Sequence, residues 1–222
     1  MNTTPAHQNL PPWFGPHSSM RTDAYVLLAA LLRDAPSPET IDLLRNLSWD
    51  EDLPLRMQTA LSELCRAGAE YPMKSICEEY QRIFMGLGSG ELVPYASWYV
   101  EKMIQSTPLA EIRGDLLRLA IVRQTDCFES EDHVGVLCEI MALLSAPQNE
   151  IPLSEQAVFF NHHLATWMPL FFKDLQGLRN IRFYRTVAEF GRSFLEAETA
   201  YLQNAESCEK CTSKRHNEQV SA

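Results

Sequence analysis

Long apolar runs and basic residues are both scarce in this chain of 222 residues. No apolar stretch approaches the roughly 18 residues of a membrane span. Residues 1–19 show no apolar core behind a basic end, so we expect no signal peptide. Lys and Arg number 19 against 29 Asp and Glu, a net charge of −10. Nucleic-acid binding needs clustered Lys and Arg and is excluded, whereas a basic peptide would be attracted. These features predict a cytoplasmic protein.

Sustained strand alternation and internal repeats are also absent from the sequence. From Arg21 onward, apolar residues recur at three- and four-residue steps, most clearly along one face from Phe183 to Tyr201. Pro169 should kink or split the long apolar segment that spans residues 153–177. The predicted fold is therefore all-α, a bundle of about nine to eleven helices.

Six cysteines are present, at positions 65, 77, 127, 138, 208 and 211. In a chain of this size without a secretory signal, they are expected to stay reduced. Cys208 and Cys211 form a Cys-x-x-Cys pair with His216 nearby, which is only half of a zinc site. We interpret them as incidental thiols of a disordered tail, with metal binding across a dimer or a redox-sensitive tail as alternatives.

The segment from Phe84 to Tyr99 joins a helix end to glycines and aromatic rings. Its distinctive residues are Phe84, Gly86, Gly88, Gly90, Pro94, Tyr95, Ser97, Trp98 and Tyr99. No strand precedes the glycines and no Gly-Lys-Ser/Thr follows them, so they predict a helix cap at Gly86 and a flexible loop rather than a phosphate site. Tyr95 and Tyr99 share a helix face with Trp98 beside them; these rings either pack the core or form an apolar binding wall.

An acidic segment follows, comprising Glu129, Ser130, Glu131, Asp132 and His133. Adjacent helical residues point in different directions, so Asp132 and His133 make a poor acid–base dyad, and no nucleophile accompanies them. In a structural interpretation, Ser130 or Glu131 caps a helix that runs from Glu131 to Leu144. In a binding interpretation, the three carboxylates take an arginine pair and His133 hydrogen-bonds a peptide carbonyl.

Two histidines, His162 and His163, lie in the strongly apolar segment. Neither belongs to a His-Glu-x-x-His motif, and no third ligand is placed near them, so we predict no metal site. His163 precedes Trp167 by four residues and is predicted to be a hydrogen-bonded core histidine.

Three motifs in order resemble the TorD/DmsD family of redox-enzyme maturation chaperones over about residues 20–205. The first is Tyr-x3-Phe-x-Gly-x-Gly, from Tyr80 to Gly88, followed by Pro-Tyr-x-Ser-x-Tyr at residues 94–99. The second is the acidic segment, in which Ser130 stands where the family usually has proline. The third, at residues 159–167, is similar to the family's Phe-x-x-His-Leu-x-x-Trp helix.

The resemblance implies a chaperone without catalytic activity or cofactor. Its partner would be an apo-form molybdenum-cofactor oxidoreductase of the DMSO reductase superfamily, bound through its twin-arginine signal peptide. Phe84, Tyr95, Trp98 and Tyr99 would form the apolar wall, and the acidic segment the polar end. The alternatives are a helical adaptor that binds an unrelated amphipathic helix and a nucleotide hydrolase that uses the glycine loop.

The resemblance also guides the expected domain organisation. Residues 1–19 are predicted to be a flexible leader, residues 20–128 an N-terminal helical lobe, residues 129–204 a hinge with a C-terminal helical lobe, and residues 205–222 a polar tail. The boundary between the lobes lies either in the acidic segment 125–132 or at residues 145–152. The resemblance favours the first, because the family's Asp-His motif lies at the hinge. A short hinge permits either a monomer or a domain-swapped dimer.

Overall fold

The computed structural model describes residues 20–49, 53–86, 90–100, 107–122 and 129–220, with side chains to residue 203. These residues form ten α-helices and one short 3-10 turn at Pro147–Asn149. The α-helices are α1 Met20–Leu32, α2 Pro38–Asn46, α3 Leu55–Glu70, α4 Met73–Phe84, α5 Ala96–Val100, α6 Pro108–Arg118, α7 Val134–Ser145, α8 Leu153–His163, α9 Met168–Gly177 and α10 Phe183–Val220. The predicted all-α bundle is confirmed. Within these ranges, no helix is long and apolar enough to cross a membrane.

Helices α1 and α7 form the centre of the fold because both are apolar on nearly every face. They approach so closely that a Cβ on Gly135 of α7 would lie 2.7 Å from the Cβ of Arg33, just beyond α1. Helix α10 packs against α3 and α9, and the buried side chains form one apolar cluster. Helices from both sides of the predicted lobe boundary at residue 128 therefore share a core, and the lobe division stays a prediction.

Helix α4 joins the ends of two other helices through adjacent residues. The Glu79 carboxylate accepts backbone hydrogen bonds from Arg182, Phe183 and Tyr184 at the start of α10. The Tyr80 hydroxyl donates to the carbonyl of Arg33 at the end of α1, 2.8 Å away. These contacts satisfy backbone groups that a helix end leaves unpaired.

Several helix boundaries follow local sequence signals. Ser37 caps α2 by accepting the Thr40 amide hydrogen at 3.2 Å, and Pro108 lies in the first turn of α6. The predicted split at Pro169 is confirmed, since α8 ends at His163 and α9 begins at Met168 with Pro169 in its first turn.

Three boundaries differ from the sequence-based predictions. Met85, rather than Gly86, is the C-cap of α4, so this helix ends one residue earlier than predicted. The helix expected from Glu131 begins only at Val134, because the preceding residues form a turn. Helix α10 continues through the segment predicted to be a disordered tail, in which no Gly or Pro interrupts residues 202–220.

Candidate functional site

The aromatic and acidic segments predicted to bind a peptide lie directly against each other. An isolated antiparallel bridge joins Tyr95 to His133, and their rings meet edge to face with centroids 5.1 Å apart. The Ala96 amide donates to the Asp132 carbonyl at 2.9 Å, and the Val134 amide donates to the Pro94 carbonyl at 2.8 Å. The structure thus brings together residues that are more than thirty positions apart in sequence.

The Asp132 carboxylate is buried and holds the beginning of α5. Its Oδ2 accepts the Ser97 amide hydrogen at 3.2 Å, and its Oδ1 accepts the Ser130 hydroxyl hydrogen at 2.6 Å. Ser130, which replaces the family's usual proline, is therefore part of the turn that orients Asp132. Trp98 and Tyr99 follow on α5, so Asp132 fixes the helix that carries them.

His133, rather than Ser130 or Glu131, is the N-cap of α7. Its Nδ1 accepts the Gly135 amide hydrogen at 3.1 Å, an arrangement that requires a neutral Nδ1. Burial lowers the pKa of His133 below its ordinary value. The nearby charges that oppose or add to this effect are Glu129, Asp132 and Asp34, which raise the pKa, and Arg33, which lowers it. The expectation that Ser130 or Glu131 caps this helix is wrong, because the bridge to Tyr95 fixes the turn before Val134.

We expect His133 to make the protein less stable in mild acid. Because its pKa is lowered in the folded state, the unfolded chain takes up a proton first as the pH falls below about 6.5, which penalises folding. The slope contributed is at most about 1.4 kcal/mol per pH unit. His133→Asn keeps a capping side chain but cannot titrate, so denaturant unfolding between pH 5 and pH 8 should show a shallower decline. Parallel declines in both proteins would contradict this role.

The two glutamates of the acidic segment are engaged within the protein. The Tyr95 hydroxyl donates to Glu129 Oε1 at 2.7 Å, and burial together with this bond raises the pKa of Tyr95 to about 12. Glu131 Oε2 accepts from the guanidinium of Arg113 on α6 at 2.9 Å. The carboxylates predicted to receive an arginine pair are therefore occupied by groups of the chain itself.

The aromatic residues divide between core and surface. Tyr99 is buried against Trp167 and Phe171, with its hydroxyl donating to Asp174 at 3.2 Å. Trp98, by contrast, is 48% exposed. Tyr99 therefore packs in the core, whereas the Trp98 indole reaches the surface, and a binding role for it stays a prediction.

Phe84 makes its ring contacts with aromatic residues of α4 and α10. Its ring packs against Tyr80 and Tyr184, with centroids 4.9 Å and 5.6 Å away. The Phe84 side chain is half-buried, so its contribution to an apolar wall stays a prediction.

The glycine loop has a packing requirement at its end. A Cβ on Gly90 would lie 2.2 Å from the Ile83 carbonyl oxygen, where the Leu92 amide donates at 3.0 Å. The chain therefore folds back onto the end of α4 at a distance that only glycine permits. Gly88 lies outside the described residues.

Asp34 is a neighbour of the site that the sequence analysis missed. It lies two residues after the end of α1, its side chain is 87% exposed, and its charge acts on His133. Its recorded ion pair is a long 3.9 Å contact with Arg33, whose guanidinium also binds Glu139 at 2.5 Å. Only tertiary packing brings Asp34 near the acidic segment, so no local sequence signal could have indicated it.

His163 is a core histidine, as predicted. Its Nε2 lies 2.7 Å from Asp115 Oδ2, and the Trp167 indole donates to its carbonyl at 2.7 Å. In the part of the chain that the structure describes, no group of His, Cys, Asp or Glu could hold a metal ion. Cys65, Cys77 and Cys138 are free thiols, while the side chains of the Cys-x-x-Cys pair lie outside the described residues.

The fold is that of an all-α helical protein, and comparisons with known proteins identify its family. The family model described as nitrate reductase delta subunit matches residues 50–173. Chaperone protein TorD of Aliivibrio salmonicida is 24% identical over 190 residues, covering 81% of this chain and 88% of that protein. The probable Tat proofreading chaperone DmsD of Haemophilus influenzae is 28% identical over 142 residues, covering 63% and 66% respectively.

A solved structure shares the fold. It is from Archaeoglobus fulgidus, is assigned as a redox enzyme maturation protein, and superposes with a TM-score of 0.52 at 16% identity. The match covers 82% of this chain and 98% of that one. The chain therefore belongs to the nitrate reductase delta subunit family and is a redox-enzyme maturation chaperone of the TorD/DmsD type. Its family is one of chaperones rather than enzymes.

Proposed function

We propose that this chaperone binds an apo-form molybdenum-cofactor oxidoreductase of the DMSO reductase superfamily and its twin-arginine signal peptide. Binding in the cytoplasm would assist cofactor insertion and hold back export. The bridge between Tyr95 and His133 carries the proposal because it joins an aromatic segment to an acidic one. A twin-arginine signal peptide carries two arginines followed by an apolar stretch. The arginines would face the acidic segment and the apolar stretch the aromatic one. The active form is a monomer or a domain-swapped homodimer.

The apolar half of the site is centred on Trp98. Its half-exposed indole offers a large contact area at low entropic cost, as binding hot spots do. Helix α5 packs against α6, which exposes Leu117. Apolar groups on these neighbouring helices suit the apolar stretch of a signal peptide.

The polar half includes Asp34 and the acidic segment. Asp34 is accessible from solvent, and the net charge of −10 attracts a basic peptide before contact. Asp132 and His133 are buried in this half, and each accepts a backbone amide hydrogen at the start of a helix. Replacing these two residues would therefore mix loss of binding with loss of stability, and an exposed residue gives a clearer test.

Trp98→Ala should weaken binding of a twin-arginine signal peptide by at least about tenfold, because an exposed aromatic anchor is lost. The free energy of unfolding should fall by about 1–2 kcal/mol, because the buried half of the indole is also lost, and the variant should stay folded. Isothermal titration with signal peptides of candidate molybdoenzymes measures the first quantity, and denaturant unfolding the second. Leu55→Ala is the matched control, because Leu55 is 78% exposed but lies on α3.

Equal affinities for wild type and Trp98→Ala would remove Trp98 from the site. Wild-type binding to none of the peptides would contradict signal-peptide recognition. Binding that survives replacement of the peptide's arginine pair would favour the helical adaptor, which needs only an apolar helix face.

A further inference from the structure

Arg113 places a guanidinium on the candidate peptide site. It lies on α6 and donates to Glu131 Oε2 at 2.9 Å. Among the described residues, Arg113 forms its hydrogen bond and ion pair with Glu131. The negative charge of the neighbouring Asp132 also attracts the guanidinium. The same chemical group that a twin-arginine peptide would bring is therefore already present at the acidic segment.

The two partners of this ion pair differ sharply in accessibility. The Glu131 side chain is 10% exposed, whereas that of Arg113 is 55% exposed. The carboxylate is held by the turn that leads into His133, while the guanidinium extends from the surface of α6 on a flexible stem. Exchange at this pair would thus replace the cation and leave the anion in position.

We infer that Arg113 is a built-in competitor for the arginines of a client peptide. In the free protein its guanidinium occupies Glu131, and a peptide arginine displaces it into solvent. This inference rests on the proposed function and assigns Arg113 a role in setting affinity at that site. One guanidinium replaces another, so the carboxylate keeps a partner of the same chemical type throughout.

The competitor also explains how the site can favour arginine over lysine. Arg113 donates one hydrogen bond to Glu131, at 2.9 Å. A peptide guanidinium can donate the same bond and offers a second planar donor beside it, which a lysine ammonium, a strongly hydrated point charge, lacks. A peptide arginine replaces the lost interaction in kind, whereas a peptide lysine exchanges it for a less directional one. Because Arg113 already occupies Glu131, a ligand must interact with this carboxylate at least as strongly as Arg113 does.

Arg113→Gln is expected to lower the dissociation constant of a twin-arginine signal peptide by roughly two- to fivefold, the range set by an exposed ion pair. Isothermal titration at fixed salt measures the gain, and thermal unfolding confirms that the variant is folded. The same peptide with both arginines replaced by glutamine should show no gain.

Arg118→Gln is the matched control for net charge. Arg118 lies on the same helix, is exposed to a similar extent and is ion-paired with Asp115 and Glu155. Removing it makes the protein more acidic by one unit without touching Glu131. A gain for Arg113→Gln that exceeds the gain for Arg118→Gln supports the inference, while equal gains would overturn it.

A second substitution separates competition from indirect effects. With Glu131→Gln added, the gain from Arg113→Gln should disappear, because no carboxylate remains to be freed. A persistent gain would overturn the inference. Failure of both wild type and Arg113→Gln to bind would overturn the proposed function as well, whereas binding by wild type without any gain in Arg113→Gln would overturn the competitor alone.

Discussion

Glu198→Ala is expected to lower the free energy of unfolding by about 3–5 kcal/mol. Glu198 is buried on α10 and accepts two bonds from the Arg21 guanidinium, at 2.8 Å and 2.6 Å, and one from the Tyr25 hydroxyl at 3.1 Å. Removing this carboxylate leaves a largely buried cation and a buried hydroxyl without their acceptor. Denaturant unfolding at neutral pH measures the loss.

Glu196→Ala provides the comparison on the same helix. The Glu196 side chain is 52% exposed and pairs with Arg56, which also contacts Glu189. Exposed ion pairs contribute about 0–1 kcal/mol, so the loss should be small. Similar losses for the two variants would show that the Arg21 contact contributes no more than a surface pair.

Replacing Arg21 and Glu198 together with apolar residues should recover much of the stability, because no unpaired charge remains.

One substitution, glycine to alanine, should have opposite effects at two helical positions. At Gly135, the added Cβ would lie 2.8 Å from the Arg33 backbone nitrogen, so α1 and α7 must separate, at a cost of about 1–3 kcal/mol. At Gly114 on α6, nothing lies within 4 Å of the added Cβ. There alanine should stabilise by about 0.5–1 kcal/mol through its higher helix propensity.

Thermal and denaturant unfolding of the two alanine variants decide this prediction. Because the chemical change is the same, the difference between them reports the space around each glycine. A Gly135→Ala protein as stable as the wild type would mean that the central helix pair tolerates a wider separation than its packing suggests.

Much of the fold was predictable because helix periodicity and burial depend on the same residues. Val134, Leu137, Ile140, Met141 and Leu144 follow one face in the sequence and are all buried in α7. Pro169 separates α8 from α9 because a proline cannot donate the hydrogen bond that a continuous helix requires. Such signals are local, so the sequence alone carries them.

The candidate site combines residues that the sequence indicated with others that it did not. Asp132 lies just before α7, yet its carboxylate accepts the Ser97 amide hydrogen at the start of α5, thirty-five positions away. Arg113 and Asp34 reach the acidic segment only through tertiary packing. Hydrogen bonds between distant segments leave no periodic signal, so sequence patterns could not indicate which carboxylates were already engaged.

The attachment of α5 to Asp132 has a consequence for how the two halves of the site respond to a ligand. Helix α5 has only 5 residues, too few to be stable alone, and its first amides bond to Asp132. A ligand that draws on the Asp132 carboxylate therefore changes the stability of the helix that carries Trp98. By thermodynamic reciprocity, a ligand that packs on Trp98 changes the affinity at Asp132 by the same free energy. Under the proposed function, the charged and apolar parts of a peptide would therefore bind cooperatively.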